Sequence, residues 1–432
     1  MSYVHAATAL TPRKKGPAQP GFEPSRVASG KPGLKEKLTQ FILTHPYHIY
    51  AFLRRYFPIA TFRNWAFISR YDDVVEVLKR QDVFMVPFGP KIEKLNGGPN
   101  FLLGMKDGKS YEALHAIVAD TFPLTDNQEY VAPIAAEEAR ALIDESDGRI
   151  DAIRDLVTRV PTRICERYYG VSVPDEVRFA HITITMSTFM FGDPTDDPVL
   201  REEALKAGDE LRPIIDSAIA SARGAPAASD TIVSRLVGAK DSKGKPVPDK
   251  TIRAILIGMI TGFVPTNTMA GGHMLEMLLR RPDMMRAAQA AARADDDELL
   301  KRCLWEAFRF MPLNPGPFRV CVEDAVIAAG MPHAKKIAKG TKMLVGTHPA
   351  MFDPRRVKDP NKFDPGRASG DNLTFGYGLH WCIGAPLAEA QITHTLKPLL
   401  LQRNLRRAAG PAGRLTLDGP FPAHLEVEFD PD

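Results

Sequence analysis

From about residue 107 onward, apolar residues recur at three- and four-residue spacing along most of the chain. This spacing places them on one face of a helix. The pattern predicts helices over residues 111–122, 130–146, 152–169, 202–222, 248–279, 282–292 and 296–310. After Pro312 the pattern changes to short apolar runs, such as 318–322 and 342–345, that glycine and proline interrupt. The predicted fold class is therefore mainly α with a minor β region.

The first part of the chain differs from the rest in composition. Residues 1–33 are rich in proline, lysine, glycine and serine and contain no extended apolar pattern. Such a segment cannot bury enough apolar surface to fold by itself. We expect a poorly ordered lead-in over 1–33, with the packed structure beginning at residue 34.

Charge and cysteine content exclude several classes of protein. The 56 basic residues nearly balance the 52 acidic ones, which argues against a nucleic-acid partner. The four cysteines lack the paired spacing of a zinc site or a disulfide framework. The most apolar stretch, 255–264, is too short to span a bilayer. We therefore expect a cytoplasmic protein without a membrane or nucleic-acid partner.

The strongest chemical signal is the segment from Phe375 to Gly384, which reads Phe-Gly-Tyr-Gly-Leu-His-Trp-Cys-Ile-Gly. Its first two glycines permit a turn with positive φ, and Gly384 lets the backbone approach a large flat group closely. A helix follows, whose N-terminal partial charge favours a thiolate at Cys382. A thiolate is an electron-rich axial ligand for iron. The alternative is a structural cysteine at a glycine-rich helix start.

This segment resembles the cytochrome P450 signature Phe-Gly-x-Gly-x-His-x-Cys-x-Gly at every specified position. The resemblance is to the soluble, bacterial type of the family. It implies a single domain over 34–432, with haem b (iron protoporphyrin IX) between a long distal helix and the proximal helix after the cysteine loop. It also implies that Cys382 is the metal ligand and that Phe375, Gly378 and Gly384 belong to the haem-binding loop.

Further segments occur in the family's order. Glu306 and Arg309 match the Glu-x-x-Arg helix, and with Arg367 they resemble the buried network that braces the haem loop. By the same resemblance, Arg319 and His380 are expected to bind the haem propionates. Strand-edge and loop positions without a haem contact are the alternatives for these two residues.

The chain departs from the family around Asp107. The Asp-Pro-Pro-x-His-x-Arg-x-Arg segment has Tyr111 in place of its histidine and His115 in place of its last arginine. Both side chains can still donate a hydrogen bond to a propionate, which makes them candidate haem-binding residues. The alternative is that they only pack.

A second departure lies in the distal helix. Counting back from Pro282 places Gly262 at the family's small position, Pro265 at its acid and Thr266 at its alcohol. Proline cannot deliver protons, and it frees a carbonyl, which should bend the helix and let a water sit beside Thr266 or Asn267. We therefore regard these four residues as candidate catalytic positions. In another register, Thr261 and Gly262 take the family's Ala–Gly pair, and Val264 and Pro265 take the acid and alcohol positions.

The departure leaves three functions open. The first is a monooxygenase that oxidises a hydrophobic small organic substrate with dioxygen. The second is a peroxide-dependent peroxygenase or a haem-based rearrangement enzyme, because the acid that organises proton delivery is missing. The third is a haem protein that senses or carries a ligand.

Substrate and partner follow from the resemblance. The segments that form pocket walls in the family are apolar and aromatic here and include Phe84, Phe88, Phe101, Leu102, Phe189, Met190, Phe191, Phe263, Leu313 and Phe318. Since no flavin or iron–sulfur segment follows the cysteine loop, we expect electrons from a separate ferredoxin-type iron–sulfur partner. Part of a basic docking face is one interpretation of Lys397, Arg403, Arg406 and Arg407, and a solvated helix end is the alternative for each of them.

Overall fold

The computed structural model describes residues 46–194, 196–225 and 230–430. The predicted lead-in over 1–33 lies outside these residues. The α-helices are Pro46–Tyr56 (α1), Tyr71–Lys79 (α2), Gly89–Asn96 (α3), Lys109–Thr121 (α4), Ala132–Asp144 (α5), Arg159–Ile164 (α6), Glu176–Ser187 (α7), Pro198–Gly224 (α8), Ile232–Gly238 (α9), Asp249–Arg280 (α10), Pro282–Arg293 (α11), Asp297–Phe310 (α12), Thr347–Ala350 (α13) and Ala385–Leu401 (α14). Short π-helical turns are Asn127–Val131, Ala152–Val157, Cys165–Tyr169 and Thr188–Gly192.

Short strands make up the minor β part. They are Ile59–Phe62 (β1), Trp65–Ile68 (β2), Phe84–Met85 (β3), Arg149–Asp151 (β4), Phe318–Cys321 (β5), Ala325–Ile327 (β6), Lys335–Ile337 (β7), Lys342–Val345 (β8), Arg403–Arg407 (β9), Thr416–Asp418 (β10), Phe421–His424 (β11) and Glu426–Asp430 (β12). The largest sheet has the order β1-β2-β8-β5-β3, with β2 and β8 parallel and the other neighbours antiparallel. The fold class predicted from the sequence is confirmed.

The long helices agree with the hydrophobic pattern, and their ends follow local capping. α8 begins four residues before the predicted start because Asp197 accepts hydrogen bonds from the backbone N–H groups of Val199 and Leu200. The predicted helix over 152–169 is instead two π-helical turns on either side of α6. The apolar period of the sequence does not distinguish an α-helix from short π-helical turns, because both bury the same apolar residues.

α10 is the central helix of the fold. It packs against α7, α8, α11, α12 and α14, and it runs without interruption through Pro265. Packing on several sides supports the helix where the proline removes a backbone hydrogen bond. By length and composition α10 could span a membrane, but 83% of its most apolar window is buried inside the protein. It is therefore a core helix.

α14 follows the cysteine loop directly. It packs along α5 and also contacts α10 and α12. The segment from Phe375 to Gly384, which holds the candidate ligand, therefore leads directly into the beginning of α14.

Candidate functional site

The cysteine loop is closed by its own backbone. Gly376 and Gly378 have φ values of 78° and 76°, which the sequence predicts for this turn. The Cys382 N–H donates to the Phe375 carbonyl at 3.0 Å, and the Trp381 N–H donates to the Gly378 carbonyl at 2.9 Å. The loop is therefore a defined turn that holds the cysteine side chain in one place.

Besides its positive φ, close packing against α2 also requires a glycine at position 378. A Cβ at this position would lie 2.9 Å from the carbonyl oxygen of Leu78 in α2. A side chain would therefore push the loop away from α2, in addition to the strain of the positive φ. At Gly384 the contact is less tight, since a Cβ there would lie 3.9 Å from the Cys382 sulfur.

Cys382 differs from the other cysteines in its surroundings. Cys165, Cys303 and Cys321 are buried, whereas the Cys382 side chain is accessible. Protein atoms nevertheless surround it, so that burial raises the pKa of its thiol to about 11 while the N–H groups of Gly384 and Ala385 oppose that shift. The Cys382 sulfur therefore lies close to the backbone N–H groups at the start of α14.

Phe375 is fixed by a residue that the sequence did not single out. Its ring lies 4.7 Å from the ring of Trp305, the residue before Glu306 in α12. The contact joins the loop to α12 across 70 positions of the chain. No sequence signal points to Trp305, because the contact depends on how α12 and the loop pack.

Tyr111 is anchored by the backbone of the loop. Its hydroxyl donates to the Leu379 carbonyl at 2.9 Å, and its ring stands edge-on to that of His380 at 5.8 Å. His115 is exposed and stacks on Tyr111 at 5.8 Å. The single hydroxyl proton of Tyr111 is thus used within the protein, which favours the packing alternative over a propionate contact.

Arg319 is a buried cation with no acidic side chain paired to it within residues 46–194, 196–225 and 230–430. It is 4% exposed, its Nη1 donates a hydrogen bond to the Phe318 carbonyl at 2.8 Å, and its Nε has no partner among the described residues. Burial lowers the pKa of Arg319 to about 10. Burial, and then the nearby charge of Arg319, lowers the pKa of His380 to about 4.

This cluster tests whether the site suits a haem. A buried guanidinium is costly unless an anion compensates it, and a carboxylate accepts its hydrogen bonds well. Arg319 with His380 fits the propionates of haem, and the accessible Cys382 sulfur fits an axial iron ligand. The residues present are therefore compatible with haem.

The candidate distal residues lie on α10, which carries one accessible stripe. Between Ala254 and Glu276 the partly accessible residues are Gly258, Gly262 and Thr266, and all others in this range are buried. A spacing of four residues puts the three on one face of the helix. The Thr266 hydroxyl donates to the Gly262 carbonyl one turn earlier.

The stripe is open at Gly262 and covered at Gly258. A Cβ at Gly262 would have no heavy atom within 4 Å, whereas a Cβ at Gly258 would lie 2.3 Å from the Phe101 ring. Phe101, one of the predicted pocket-wall residues, therefore covers the stripe one turn before Gly262. The open segment of α10 runs from Gly262 to Thr266.

Pro265 and Asn267 do not share this face. Each is one residue from Thr266 and so about 100° away around the helix, and both are buried. The Asn267 amide nitrogen has no partner among the described residues. Thr261, which the alternative register would use, is buried with its hydroxyl bonded to the Ile257 carbonyl at 2.6 Å. The accessible stripe therefore favours the register with Gly262 and Thr266.

The bracing network forms as the sequence suggests. Glu306 accepts two hydrogen bonds from Arg309, at 2.8 and 2.9 Å, and one from the Arg367 Nε at 3.1 Å. The guanidinium of Arg309 also lies between the rings of Phe310 and Phe352, at 4.6 and 4.5 Å. All three members of the ion network are shielded from solvent, and the two guanidinium groups share the Glu306 carboxylate as their anionic partner.

The predicted basic docking face requires a correction. Lys397 bridges Asp295 and Asp297, and Arg407 contacts Glu276 at 2.8 Å. Arg403 and Arg406 lie in β9, beside the acid-rich strand β12. These cations do not form a free basic face, because acidic residues distant in sequence compensate them within the fold.

Comparisons with known proteins agree with this geometry. The sequence profile of the cytochrome P450 family matches residues 200–406. The chain is 26% identical to erythromycin C-12 hydroxylase of Saccharopolyspora erythraea, over 81% of this chain and 83% of the relative. It is 27% identical to mycinamicin IV hydroxylase/epoxidase of Micromonospora griseorubida, over 78% of this chain and 81% of that protein.

A solved structure gives the same fold. The cytochrome P450 of Bacillus megaterium in complex with corticosterone superposes with a TM-score of 0.74 at 23% identity, over 90% of this chain and 99% of the other. The cysteine loop, the braced α12 and the open stripe on α10 occur within that shared fold. The chain therefore belongs to the cytochrome P450 family and is a haem b monooxygenase.

Proposed function

We propose that Cys382 is the axial ligand of the haem iron and that the enzyme oxidises a hydrophobic small organic molecule. The observation that carries this proposal is the accessible Cys382 sulfur in a closed loop, backed by the N–H groups of Gly384 and Ala385. Hydrogen bonds from N–H groups stabilise a thiolate. The bound haem supplies the redox chemistry that cleaves dioxygen.

The remaining haem contacts are assigned from the cluster beside the loop. Arg319 and His380 donate to the propionates, and Phe375 packs at the haem edge of the loop. Tyr111 acts through the loop, because its hydroxyl holds the Leu379 carbonyl. Support for Arg319 comes from its burial without a carboxylate partner among the described residues.

On the distal side, Gly262 leaves room and Thr266 supplies the polar group. The Thr266 hydroxyl donates to the Gly262 carbonyl, so its oxygen remains an acceptor for a water. Pro265 offers no proton. Proton delivery in this enzyme therefore depends on Thr266 and bound water rather than on an adjacent carboxylic acid.

An apolar substrate fits the side chains near this stripe. The Phe101 ring covers Gly258, and the rings of Phe88 and Phe191 meet at 5.7 Å. Several relatives are named for organic substrates, among them erythromycin, mycinamicin and steroids. These names support a hydrophobic substrate of comparable chemistry for this chain.

We further propose that the enzyme works in the cytoplasm with a ferredoxin-type iron–sulfur partner. The test is to incubate the purified enzyme with candidate apolar substrates, once with ferredoxin, its reductase and NAD(P)H, and once with hydrogen peroxide alone. Product formed only with the reducing system supports the proposal. Equal or greater product with peroxide alone contradicts it and supports a peroxygenase, which the proline at the acid position favours.

A further inference from the structure

The N-terminal part of the chain has a charge balance of its own. Residues 46–71 contain four arginines and no acidic residue. Over residues 1–71 there are 11 basic and 2 acidic residues, whereas the remaining chain has 45 basic and 50 acidic ones. The positive charge of the whole protein is therefore concentrated in its first 71 residues.

The same part of the chain exposes four large aromatic side chains. Phe52, Tyr56 and Phe57, at the end of α1, are 53%, 58% and 54% exposed, and Phe62, at the end of β1, is 72% exposed. The Phe52 ring lies 5.1 Å from that of Tyr56 and 5.9 Å from that of Phe57. Phe52, Tyr56 and Phe57 therefore form one exposed aromatic cluster, and Phe62 is exposed at the end of the strand that follows. Exposed apolar clusters mark interaction surfaces.

Two arginines accompany the rings. The guanidinium of Arg55 lies 5.5 Å from the Tyr56 ring, and that of Arg63 lies 5.3 Å from the Phe62 ring. Neither arginine forms a salt bridge with any described residue. We call these six residues the aromatic–arginine face.

We propose that the aromatic–arginine face docks on a membrane surface that contains anionic lipid. Aromatic rings are favourable at the boundary between lipid headgroups and acyl chains, and arginines pair with lipid phosphates. Basic residues near an anionic surface add attraction roughly in proportion to their number. The 7 basic and 2 acidic residues over 1–45 carry the same sign and strengthen this attraction.

Charge also argues against two other partners for the aromatic–arginine face, namely a second copy of the chain and the segment 1–45. A second copy of the chain would bring the unpaired Arg55 and Arg63 of one face towards those of another, which is unfavourable. The segment 1–45 has a net positive charge, which disfavours it as an occupant beside the arginines. An anionic bilayer offers both the apolar layer and the negative charge.

Docking there has a consequence for substrate access. Trp65 in β2, the strand paired with β1, has its ring 6.1 Å from that of Phe318, a predicted pocket-wall residue. The docked edge is thus connected to the proposed substrate side by direct contact. This consequence rests on the proposed function, whereas vesicle binding does not depend on catalysis.

The test is co-sedimentation of the full-length haem-loaded enzyme with vesicles, either of phosphatidylcholine alone or of phosphatidylcholine mixed with phosphatidylglycerol. We expect binding to the mixed vesicles that weakens as salt is raised. The double variant Phe52→Ser with Phe62→Ser should weaken this binding about tenfold or more. The matched control is Leu417→Ser in β10, which replaces another exposed apolar residue and should bind normally.

A second pair of variants separates charge from apolar contact. Arg55→Gln with Arg63→Gln should weaken binding to the mixed vesicles by about fivefold per arginine, with Lys206→Gln in α8 as the control. Equal binding of the aromatic double variant and the unmodified enzyme would overturn the proposal and assign the binding to the basic segment alone. Absence of binding to the mixed vesicles would overturn it as well. An unchanged haem spectrum and circular dichroism show that each variant is folded.

Discussion

Thr266 and Gly262 lie one turn apart on the accessible stripe of α10, and the Thr266 hydroxyl donates its proton to the Gly262 carbonyl. The hydroxyl therefore has a fixed orientation, and its oxygen can still accept a hydrogen bond. Pro265, beside it in sequence, is about 100° away around the helix and buried. With Thr266 at the family's alcohol position, as we propose, no carboxylic acid accompanies the alcohol.

Restoring the acid tests how protons reach the site. Pro265→Asp should raise the fraction of reducing equivalents that end in product, and Thr266→Ala should lower it and increase hydrogen peroxide release. Burial will raise the pKa of the introduced carboxyl, so its gain should depend on pH. The measurement is product and peroxide per NAD(P)H consumed. Unchanged coupling in both variants would mean that Thr266 takes no part in proton delivery.

Two glycines of the same stripe should respond differently to one added methyl group. Gly262→Ala adds a Cβ in open space, so stability should stay constant or rise by up to about 1 kcal/mol through helix propensity. Gly258→Ala overlaps the Phe101 ring and should cost about 1–3 kcal/mol. Urea unfolding of the two variants gives the comparison. The same cost in both would show that Gly262 does not face open space.

Cys382→Ser tests the ligand assignment. The reduced carbonyl complex of the unmodified enzyme should show the red-shifted Soret band of a thiolate-ligated haem, and the variant should lose it because serine provides no thiolate. Cys321→Ser serves as the control, since Cys321 is a buried cysteine of β5. Persistence of the red-shifted band in Cys382→Ser would exclude Cys382 as the ligand.

Glu306→Ala should destabilise the protein strongly. Glu306 is 4% exposed and accepts hydrogen bonds from both Arg309 and Arg367, so its removal leaves two uncompensated charges. Losing one partner of a buried ion pair costs about 3–5 kcal/mol. Haem content and denaturant unfolding are the measurements. The control is Glu298→Ala, at an exposed residue of the same helix that pairs with Lys301. It should change the free energy of unfolding by less than about 0.5 kcal/mol.

Arg319→Gln should have opposite effects on the haem-free and haem-bound protein. Without haem, removing a buried cation that lacks a carboxylate partner should leave stability unchanged or raise it. With haem, losing a charge-assisted hydrogen bond of about 1.5–3 kcal/mol should speed haem loss roughly tenfold to a hundredfold. The rate of haem transfer to apomyoglobin measures haem loss. Arg319→Lys should lose haem more slowly than Arg319→Gln. Slower or equal haem loss in Arg319→Gln would contradict the propionate contact.

Several features were determined by the sequence alone, because they depend on neighbours in the chain. The turn at Gly376 and Gly378 needs positive φ, and both glycines adopt it. The apolar period of α10 and α12 places these helices within a few residues of their observed ends. The Glu306–Arg309 pair follows from a three-residue spacing on one helix.

Other features were decided only by the tertiary structure, since a sequence pattern does not identify the partner of a side chain. The hydroxyl of Tyr111 reaches a carbonyl 268 residues away, and Lys397 finds its carboxylates about 100 residues away. The register that we propose for Thr266 rests on packing, which between residues 254 and 276 leaves only one stripe of α10 partly accessible. Periodicity assigns a residue to a face, whereas the elements that pack there decide whether the face is covered, paired or open.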